Sequence, residues 1–287
     1  MTMTGSAKLA GIIGWPIGQS LSPRIHGSWI AEYGLDAAYV PLAVRPQDFA
    51  AVVNGLRLAG FKGVNVTVPH KEAAFALAER HDGAAEFAGA ANVLLFYEDG
   101  IEARNTDTFG LSASIVESLG AAAVKGNPVA IWGTGGAARA AAAALTQLGA
   151  SQVRLLGRNL AHANTLVMQL APKLSAPLVG LGFGDWNDAA KDIVLLVNAT
   201  SAGMKGAPSV DLPLDALPKN AAVLDVVYNP LRTPLLVRAE ALGLRTIDGL
   251  GMLLHQAAPS FEAFFDVTPQ VSAALRRTME LALADGR

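Results

Sequence analysis

The stretch NPVAIWGTGGAARAAAAALTQLGASQVRLLGRN, residues 127–159, contains every component of a β-α-β unit. The apolar run VAIW is typical of a buried strand, and three glycines follow it within four positions. Next come an alanine-rich segment, which is a strong helix former, and a second apolar run, VRLL. Strand, tight turn, helix and strand in this order predict two parallel strands joined by a helix.

The same alternation continues on the C-terminal side of this unit. A helix is predicted around residues 160–170, and apolar strands are predicted at residues 192–200 and 221–230. A helix at TPLLVRAEALG and a short strand at LRTID follow, and Gly249 opens a final helical region. Apolar strands separated by helices predict an α/β fold whose parallel sheet is covered on both faces.

The N-terminal half also alternates strands and helices, and the pattern restarts near Lys125, which indicates two domains. In the segment VNVTVP, valines alternate with Asn65 and Thr67, so these two polar side chains share one face of a strand. Two further strands are predicted to meet at the turn formed by Asp99 and Gly100. The polar face of the first strand is therefore placed to line a cleft.

Three predicted helices begin with a hydroxyl residue followed by proline: Ser22-Pro23, Thr233-Pro234 and Thr268-Pro269. Serine and threonine are favoured N-caps, and proline suits the first helical position. We expect Ser22 to cap a helix that ends at Gly34, with Ser20 outside the cap, in the turn after the first strand.

The composition excludes several classes of function. The chain has 287 residues, 52% of them hydrophobic, a formal net charge of −2 and no cysteine. Disulfides and thiolate metal sites are thus excluded, and the charge gives no reason to expect nucleic acid or an anionic membrane as a partner. The five histidines form no cluster with ligand spacing, so no metal site is predicted. The N-terminus lacks the pattern of a signal peptide, and we expect a cytoplasmic protein.

The glycines of the opening stretch point to a cofactor. Gly133, Gly135 and Ala138 fit the pattern G-x-G-x-x-G/A between a strand and a helix, where backbone amides and the helix dipole favour a pyrophosphate. The alternative is a tight turn without a ligand. The next strand ends in Arg158 rather than in an acid, and a guanidinium matches a 2′-phosphate, which favours NADP over NAD unless Arg158 is only a solvated charge. NAD remains a secondary possibility.

Eight motifs follow one another along the chain: SLSP, NVTVPHK, GAANVL, NTDTFG, GTGGAARA, NATSAGM, DVVYNPLRTPLL and DGLGMLLHQAAPSFE. Their order, from Gly11 to about Phe265, is similar to that found in shikimate dehydrogenases. The chain thus resembles this family over nearly its whole length. The resemblance implies an α/β substrate-binding domain (residues 1–110 with 250–287, because the last helices return to it) and a Rossmann-like NADP domain (residues 111–249). It implies reversible hydride transfer between NADPH and 3-dehydroshikimate.

The resemblance also assigns roles to individual residues. Lys71 and Asp107 match the positions of the family's catalytic pair. The reaction needs such a pair, because loss of hydride from a carbinol carbon requires an acid/base group for the hydroxyl proton. The positions that match substrate-binding residues are Ser20, Ser22, Thr67, Asn92, Tyr228 and Gln256. Those that match cofactor-binding residues are Gly133, Gly135, Gly136, Ala137, Arg158, Asn198, Thr200, Ser201, Val226, Gly249 and Met252. Structural alternatives stay open for some of them: Asp107 as a helix cap, Asn92 in a turn and Tyr228 as a buried tyrosine.

The chain departs from the family around Arg158. Many NADP-dependent members carry NRT followed by a second basic residue, whereas this chain has GRNLAHAN with His162 at that place. A single guanidinium predicts a reduced preference for NADP. Three alternative functions stay open: a dehydrogenase of quinate or of an aminoshikimate, a non-catalytic sensor of such a ligand, and a folate dehydrogenase-like enzyme. A monomer and a homodimer are both compatible with the sequence.

Overall fold

The structure, a computed structural model, describes residues 3–209 and 212–285. Within these ranges there are twelve β-strands and eleven α-helices. The strands are β1 (Lys8–Gly14), β2 (Ala37–Ala43), β3 (Gly63–Val66), β4 (Arg80–His81), β5 (Val93–Tyr97), β6 (Gly100–Arg104), β7 (Pro128–Trp132), β8 (Gln152–Leu156), β9 (Leu178–Leu181), β10 (Leu195–Asn198), β11 (Ala222–Asp225) and β12 (Arg245–Ile247). The helices are α1 (Ser22–Glu32), α2 (Phe49–Leu58), α3 (Lys71–Leu77), α4 (Gly83–Ala88), α5 (Asp107–Leu119), α6 (Gly136–Gln147), α7 (Leu160–Leu170), α8 (Trp186–Ala189), α9 (Pro234–Ala241), α10 (Gly249–Phe265) and α11 (Ala273–Ala284).

The chain divides into two compact units. The first comprises the residues up to Thr106 together with Gln256–Ala282, and the second comprises Asp107–His255 and the residues from Leu283 onward. The division falls at the start of α5 and inside α10. None of the helices among the described residues is both long and apolar enough to cross a membrane.

The first unit contains a mixed six-stranded sheet in the order β2-β1-β3-β5-β6-β4. Strand β1 runs parallel to both β2 and β3, while β5 runs antiparallel to β3 and to β6. The predicted turn at Asp99 and Gly100 is confirmed, because β5 and β6 form a hairpin in which Tyr97 pairs with Gly100. The carboxyl ends of β1 and β3 lie side by side, which brings the segments that follow these two strands together.

Helices α1 and α10 supply an aromatic core to this unit. Trp29 and Phe261 are fully buried, with ring centroids 5.2 Å apart. Gly63 of β3 permits a close approach, since a Cβ there would lie 2.3 Å from the oxygen of Leu94 and 2.7 Å from the Phe264 ring. The C-terminal half of α10 therefore packs directly against the sheet backbone.

The prediction that Ser22 caps α1 is wrong. Leu21 occupies the N-cap position without a side-chain hydrogen bond, and Ser22 is the first helical residue. Instead, the Ser22 amide donates to Oγ of Ser20 over 3.3 Å, and the Ser22 side chain is buried. The predicted end of the helix is confirmed, because Gly34 follows the C-cap residue Tyr33 with φ of +62°.

Of the other two hydroxyl-proline pairs, only one begins a helix. Thr233 is the N-cap of α9, and its oxygen accepts from the Leu236 amide over 3.3 Å, as predicted. Thr268 does not cap α11, which begins at Ala273. There Ser272 provides the acceptor for the Leu275 amide at 3.1 Å, while the Thr268 hydroxyl donates to Glu262.

The second unit contains a six-stranded sheet in the order β12-β11-β10-β7-β8-β9. All five strand pairings are parallel, which confirms the predicted parallel sheet. The chain order reverses direction between β7 and β10, and in open α/β sheets ligands bind at such a switch point, outside the carboxyl ends of the strands. Strand β9 and helix α8 were not anticipated, because both are only four residues long and β9 is a half-buried edge strand.

Candidate active site

The glycine turn lies at the carboxyl end of β7, beside β10. Gly133 has φ of +121°, and a Cβ at this position would lie 2.9 Å from Cγ2 of Thr200 and 3.0 Å from the oxygen of Ala199. Both the backbone conformation and the space therefore require glycine at the switch point of the sheet.

The next two glycines leave the start of α6 open. Gly135 is the N-cap residue and makes no side-chain cap, and a Cβ at Gly135 or Gly136 would have no neighbour within 4 Å. The first amides of α6 thus lack a capping side chain and sit next to open space. Backbone amides at the positive end of a helix dipole bind phosphate groups well, so this turn fits a dinucleotide pyrophosphate.

Arg158 lies in the loop after β8, the strand that pairs with β7. Its side chain is exposed, while the following Asn159 is the N-cap of α7 and accepts from the Ala161 amide over 2.8 Å. Gly157 allows close packing on the glycine turn, because a Cβ there would lie 3.1 Å from Cγ2 of Thr134. The loop therefore carries one exposed guanidinium, that of Arg158, next to the glycine turn in the sheet order, whereas Asn159 caps α7.

A buried carboxylate, Asp225, connects three segments at the carboxyl ends of β10 and β11. Its Oδ1 accepts from the side-chain amide of Asn198 at 2.9 Å and from the Val227 amide at 3.0 Å, and its Oδ2 accepts from the Thr233 hydroxyl at 2.7 Å. Burial raises the pKa of Asp225 to about 6, although its three hydrogen bonds act in the opposite direction. Asp225 thus fixes the ends of two strands and the start of α9.

The amide of Asn198 is engaged inside the protein. The side chain is buried, and its Oδ1 accepts from both the amide and the hydroxyl of Thr200, at 3.1 and 2.7 Å. Thr200 in turn accepts from the Ala202 amide, while Ser201 is exposed. Of the three residues predicted in this segment, Asn198 and Thr200 are thus hydrogen-bonded within the protein, and Ser201 is exposed.

The end of β11 and the start of α10 touch through their backbones. A Cβ at Gly249 would lie 2.3 Å from the oxygen of Val226. Met252 lies one turn further along α10 and is partly buried. Burial raises the pKa of Tyr228, which keeps its phenol protonated at neutral pH. Val226 and Gly249 thus form a backbone contact, and Tyr228 and Met252 follow them in the sequence by two and three residues.

In the first unit, Asn92 is the centre of a polar cluster. Its Nδ2 donates to Oγ1 of Thr106 at 2.9 Å and to Oε1 of Gln256 at 3.2 Å, and its Oδ1 accepts from the Thr106 amide at 2.9 Å. Asn92 and Thr106 are buried, and Gln256 is partly exposed. The structure therefore brings the predicted residues Asn92 and Gln256 together, through a threonine that the sequence analysis did not assign to the site.

A second set of polar contacts leads from Tyr39 to Asn92. The Tyr39 hydroxyl donates to Oδ1 of Asn65 at 2.7 Å. Nδ2 of Asn65 donates to the backbone oxygen of Asn92 at 3.2 Å. Tyr39 is thus connected through Asn65 to the backbone of Asn92, a predicted substrate-binding residue.

Thr67 and Lys71 follow β3 on a short, tightly packed segment. The Thr67 amide donates to the oxygen of Ile13, and a Cβ at Gly14 would lie 2.6 Å from Cγ2 of Thr67. Lys71 begins α3, and its backbone oxygen accepts from the Ala91 amide at 2.9 Å. This contact places the start of α3 next to the residue that precedes Asn92.

The predicted residues fall into two groups. The first unit holds Ser20, Ser22, Thr67, Lys71, Asn92 and Gln256; Asp107, Tyr228 and the predicted cofactor residues belong to the second. Asp107 is the first residue of α5 and directly follows Thr106. The sequence analysis missed Thr106, Tyr39 and Asp225. Thr106 and Asp225 lie inside family motifs, each next to a residue that was assigned to the site, and this position was a signal that could have identified them. Tyr39 lies in none of these motifs.

Comparison with known proteins agrees with this arrangement. Residues 12–94 match the family model of the shikimate dehydrogenase substrate binding domain, and residues 249–277 match that of the shikimate 5′-dehydrogenase C-terminal domain. The NADP-dependent shikimate dehydrogenase of Paramagnetospirillum magneticum is 46% identical over 96% of this chain and 98% of its own length. That of Rhodospirillum rubrum is 45% identical over 96% of this chain and 97% of its own.

Solved structures extend the likeness to the fold. Shikimate 5-dehydrogenase from Listeria monocytogenes, solved with shikimate and NAD, superposes with a TM-score of 0.89 at 30% identity, covering 97% of this chain and 98% of that one. Both units of the present chain lie within this coverage. Identity of this order over nearly the whole of two chains, together with the glycine turn and the polar cluster around Asn92, shows that the protein belongs to the shikimate dehydrogenase family.

Proposed function

We propose that this protein catalyses the reversible, NADPH-dependent reduction of 3-dehydroshikimate to shikimate. The observation that carries the proposal is the likeness to NADP-dependent shikimate dehydrogenases over nearly the full length of both chains. The open start of α6 and the polar cluster of Asn92, Thr106 and Gln256 supply the two kinds of site that such a reaction needs.

The glycine turn and Arg158 would hold the cofactor. The amides at Gly135, Gly136 and Ala137 suit the pyrophosphate, and the exposed guanidinium of Arg158 suits the 2′-phosphate of NADP. Bound NADPH supplies the hydride for the substrate carbonyl carbon. Asp225 and the Gly249 contact would position Thr200 and Ser201, in the loop after β10, and Met252, in the first turn of α10, at the nicotinamide end.

Lys71 and Asp107 serve as the acid/base pair in this proposal. When the carbonyl carbon accepts the hydride, its oxygen must gain one proton, and Lys71 donates that proton from Nζ. In the reverse direction Lys71 accepts the proton from the substrate hydroxyl. Asp107 holds and orients the reacting hydroxyl.

The remaining polar residues recognise the substrate. A carboxylated ring with several hydroxyls needs a number of fixed donors and acceptors. Ser20 and Ser22 are assigned to the carboxylate end, and Thr67, Asn92, Gln256 and Tyr228 are assigned to the carboxylate or ring hydroxyls. The hydrogen bonds among Asn92, Thr106 and Gln256 orient these groups before a ligand arrives.

Steady-state oxidation of shikimate and of quinate, each with NADP and with NAD, tests the proposal. We expect the highest kcat/KM with shikimate and NADP, and a Lys71→Ala variant should lose kcat by at least about 100-fold. Lys62→Ala, an exposed lysine of the same unit, is the matched control and should retain wild-type rates. A higher kcat/KM with quinate than with shikimate would identify quinate as the preferred substrate. Ligand binding without turnover would indicate a sensor.

Two further expectations stay predictions. The sequence is compatible with a monomer or a homodimer, and size-exclusion chromatography with light scattering distinguishes the two. A cytoplasmic location is predicted, and fractionation of the source cells tests it.

A further inference from the structure

His70, the residue that precedes Lys71, is a buried histidine to which the proposed reaction gives no role. It is the N-cap residue of α3, but its side chain does not cap the helix. The residue is 2% exposed, and its ring stacks on that of Phe49, with centroids 4.8 Å apart and planes 12° from parallel. Buried polar groups are nearly always hydrogen-bonded, so the partner of this ring shows what the side chain holds.

The partner is a backbone carbonyl. Nε2 of His70 lies 2.8 Å from the oxygen of Val44, and since a carbonyl oxygen can only accept, the hydrogen of this bond is on Nε2. Val44 directly follows β2, and its own amide donates to the oxygen of Gly14 at the end of β1 over 3.2 Å. The His70 ring is therefore tied to the backbone at the carboxyl ends of β1 and β2.

The backbone on both sides of this ring is held as well. The His70 amide donates to the oxygen of Thr67 over 3.0 Å, and the His70 oxygen accepts from the Ala74 amide over 2.8 Å. The oxygen of Lys71 accepts from the Ala91 amide over 2.9 Å. The backbone of Lys71 is thus fixed at two points, one provided by the side chain that precedes it and the other by its own carbonyl group.

We propose that His70 is a positioning residue for Lys71: its hydrogen bond to Val44 and its stack on Phe49 hold the start of α3 where the lysine side chain reaches the reacting oxygen. The inference rests on the proposed function, because it takes Lys71 as the acid/base group. It deepens that function by assigning a task to a residue that acts through its neighbour. Misplacing a reacting group by about 1 Å can lower a rate about 100-fold, so the loss of such a support is measurable.

His70→Phe keeps an aromatic ring on Phe49 and removes the donor to Val44, so it is the first informative substitution. We expect kcat for shikimate oxidation to fall about 3- to 30-fold, because the acid/base group is less well placed. The KM for NADP should stay unchanged, because the predicted cofactor residues belong to the second unit.

Two polar variants provide a test that does not depend on the folding of His70→Phe. In His70→Gln the side-chain amide nitrogen can occupy nearly the position of Nε2, so the bond to Val44 is restored and kcat should stay within about 2-fold of the wild type. The side chain of His70→Asn is polar as well but too short to reach the same oxygen. Its kcat should fall as in His70→Phe.

His81 offers a matched control at the other end of the same helix. Its Nε2 lies 2.8 Å from the oxygen of Phe75, and its ring packs on that phenylalanine with centroids 4.1 Å apart. This contact has the same kind and length as that of His70, but it lies away from Lys71 in the sequence. His81→Phe should therefore lower the Tm at most and leave kcat unchanged.

A double variant separates positioning from a general structural role. When His70→Phe is added to Lys71→Ala, kcat should fall no further, because His70 acts only through the lysine. Four outcomes would overturn the inference: an unchanged kcat in His70→Asn, equal losses in His70→Gln and His70→Asn, an equal loss in His81→Phe, or additive effects in the double variant. Failure of the proposed function is distinguishable from these, because the wild type would then not oxidise shikimate or Lys71→Ala would retain full kcat.

Discussion

Thr233 donates its hydroxyl hydrogen to Oδ2 of Asp225 over 2.7 Å, while Oγ1 of Thr233 accepts from the Leu236 amide in the first turn of α9. One hydroxyl thus satisfies a buried carboxylate and caps a helix. Asp225 also holds Asn198, so the ends of β10 and β11 and the start of α9 depend on a single buried group. Their common position at the carboxyl edge of the parallel sheet makes this group a determinant of stability.

The stability of the protein should depend on pH through Asp225. Its pKa is raised from 3.8 to about 6 in the folded state, so the folded protein binds the proton more tightly than the unfolded chain. The resulting stabilisation is fully present below about pH 4 and is lost as pH rises through about 6, a change of about 3 kcal/mol in the free energy of unfolding. Urea unfolding of the wild type and of Asp225→Asn between pH 4 and pH 7.5 measures it. The difference between the two proteins should change by this amount, and a constant difference would contradict the assignment.

Gly249→Ala should destabilise the protein. The added Cβ would lie 2.3 Å from the oxygen of Val226, so the start of α10 must move away from the end of β11. We expect a loss of about 1–3 kcal/mol in the free energy of unfolding, together with a higher KM for NADP. Gly55→Ala in α2 is the control, because its Cβ meets nothing within 4 Å and should be neutral or slightly stabilising. Equal unfolding midpoints for the two variants would refute the contact.

Arg158→Ala should change cofactor selection. Loss of a charge-assisted hydrogen bond to the 2′-phosphate should raise KM for NADP about 10- to 100-fold and leave KM for NAD unchanged. Arg232→Ala is the control, since Arg232 lies in the same unit and pairs on the surface with Glu240. If the wild type used NAD and NADP with equal kcat/KM, Arg158 would not be the selector.

The two threonine-proline pairs allow a comparison of identical substitutions. Thr233→Ala removes the cap of α9 and one donor to Asp225, and we expect a loss of about 0.5–2 kcal/mol in the free energy of unfolding. Thr268→Ala removes only an exposed hydrogen bond to Glu262 and should change the unfolding free energy by no more than about 0.5 kcal/mol. Thermal or chemical unfolding provides the measurement, and a larger effect at Thr268 would argue against the observed helix starts.

Local patterns predicted much of the fold. The glycine turn after β7, the parallel sheet and the β5–β6 hairpin follow from signals within a few residues. The start of α1 could not be predicted in this way, because the residue at its N-cap, Leu21, has no capping side chain and leaves no signal in the sequence. Strand β9 is short and half-buried, so it carries little hydrophobic pattern.

The site shows the same limit. Motifs placed Asn92 and Gln256 among the substrate residues, and the structure joins them by a hydrogen bond of 3.2 Å. Tyr39 and Asp225 act through contacts with residues far apart in sequence, and such contacts form only when the sheets assemble. Their roles are therefore visible in the structure and not in the sequence.

The first unit draws its residues from both ends of the chain. Nε1 of Trp29 donates to the oxygen of Gln270 at 3.0 Å, Lys8 pairs with Asp266 at 2.6 Å, and the Phe264 ring lies against Gly63. On a translating ribosome, residues 107–255 emerge before the segment that completes this unit, so the unit whose synthesis starts first finishes folding last. During that interval the apolar faces of β3 and α1 that pack against the C-terminal half of α10 are exposed to solvent.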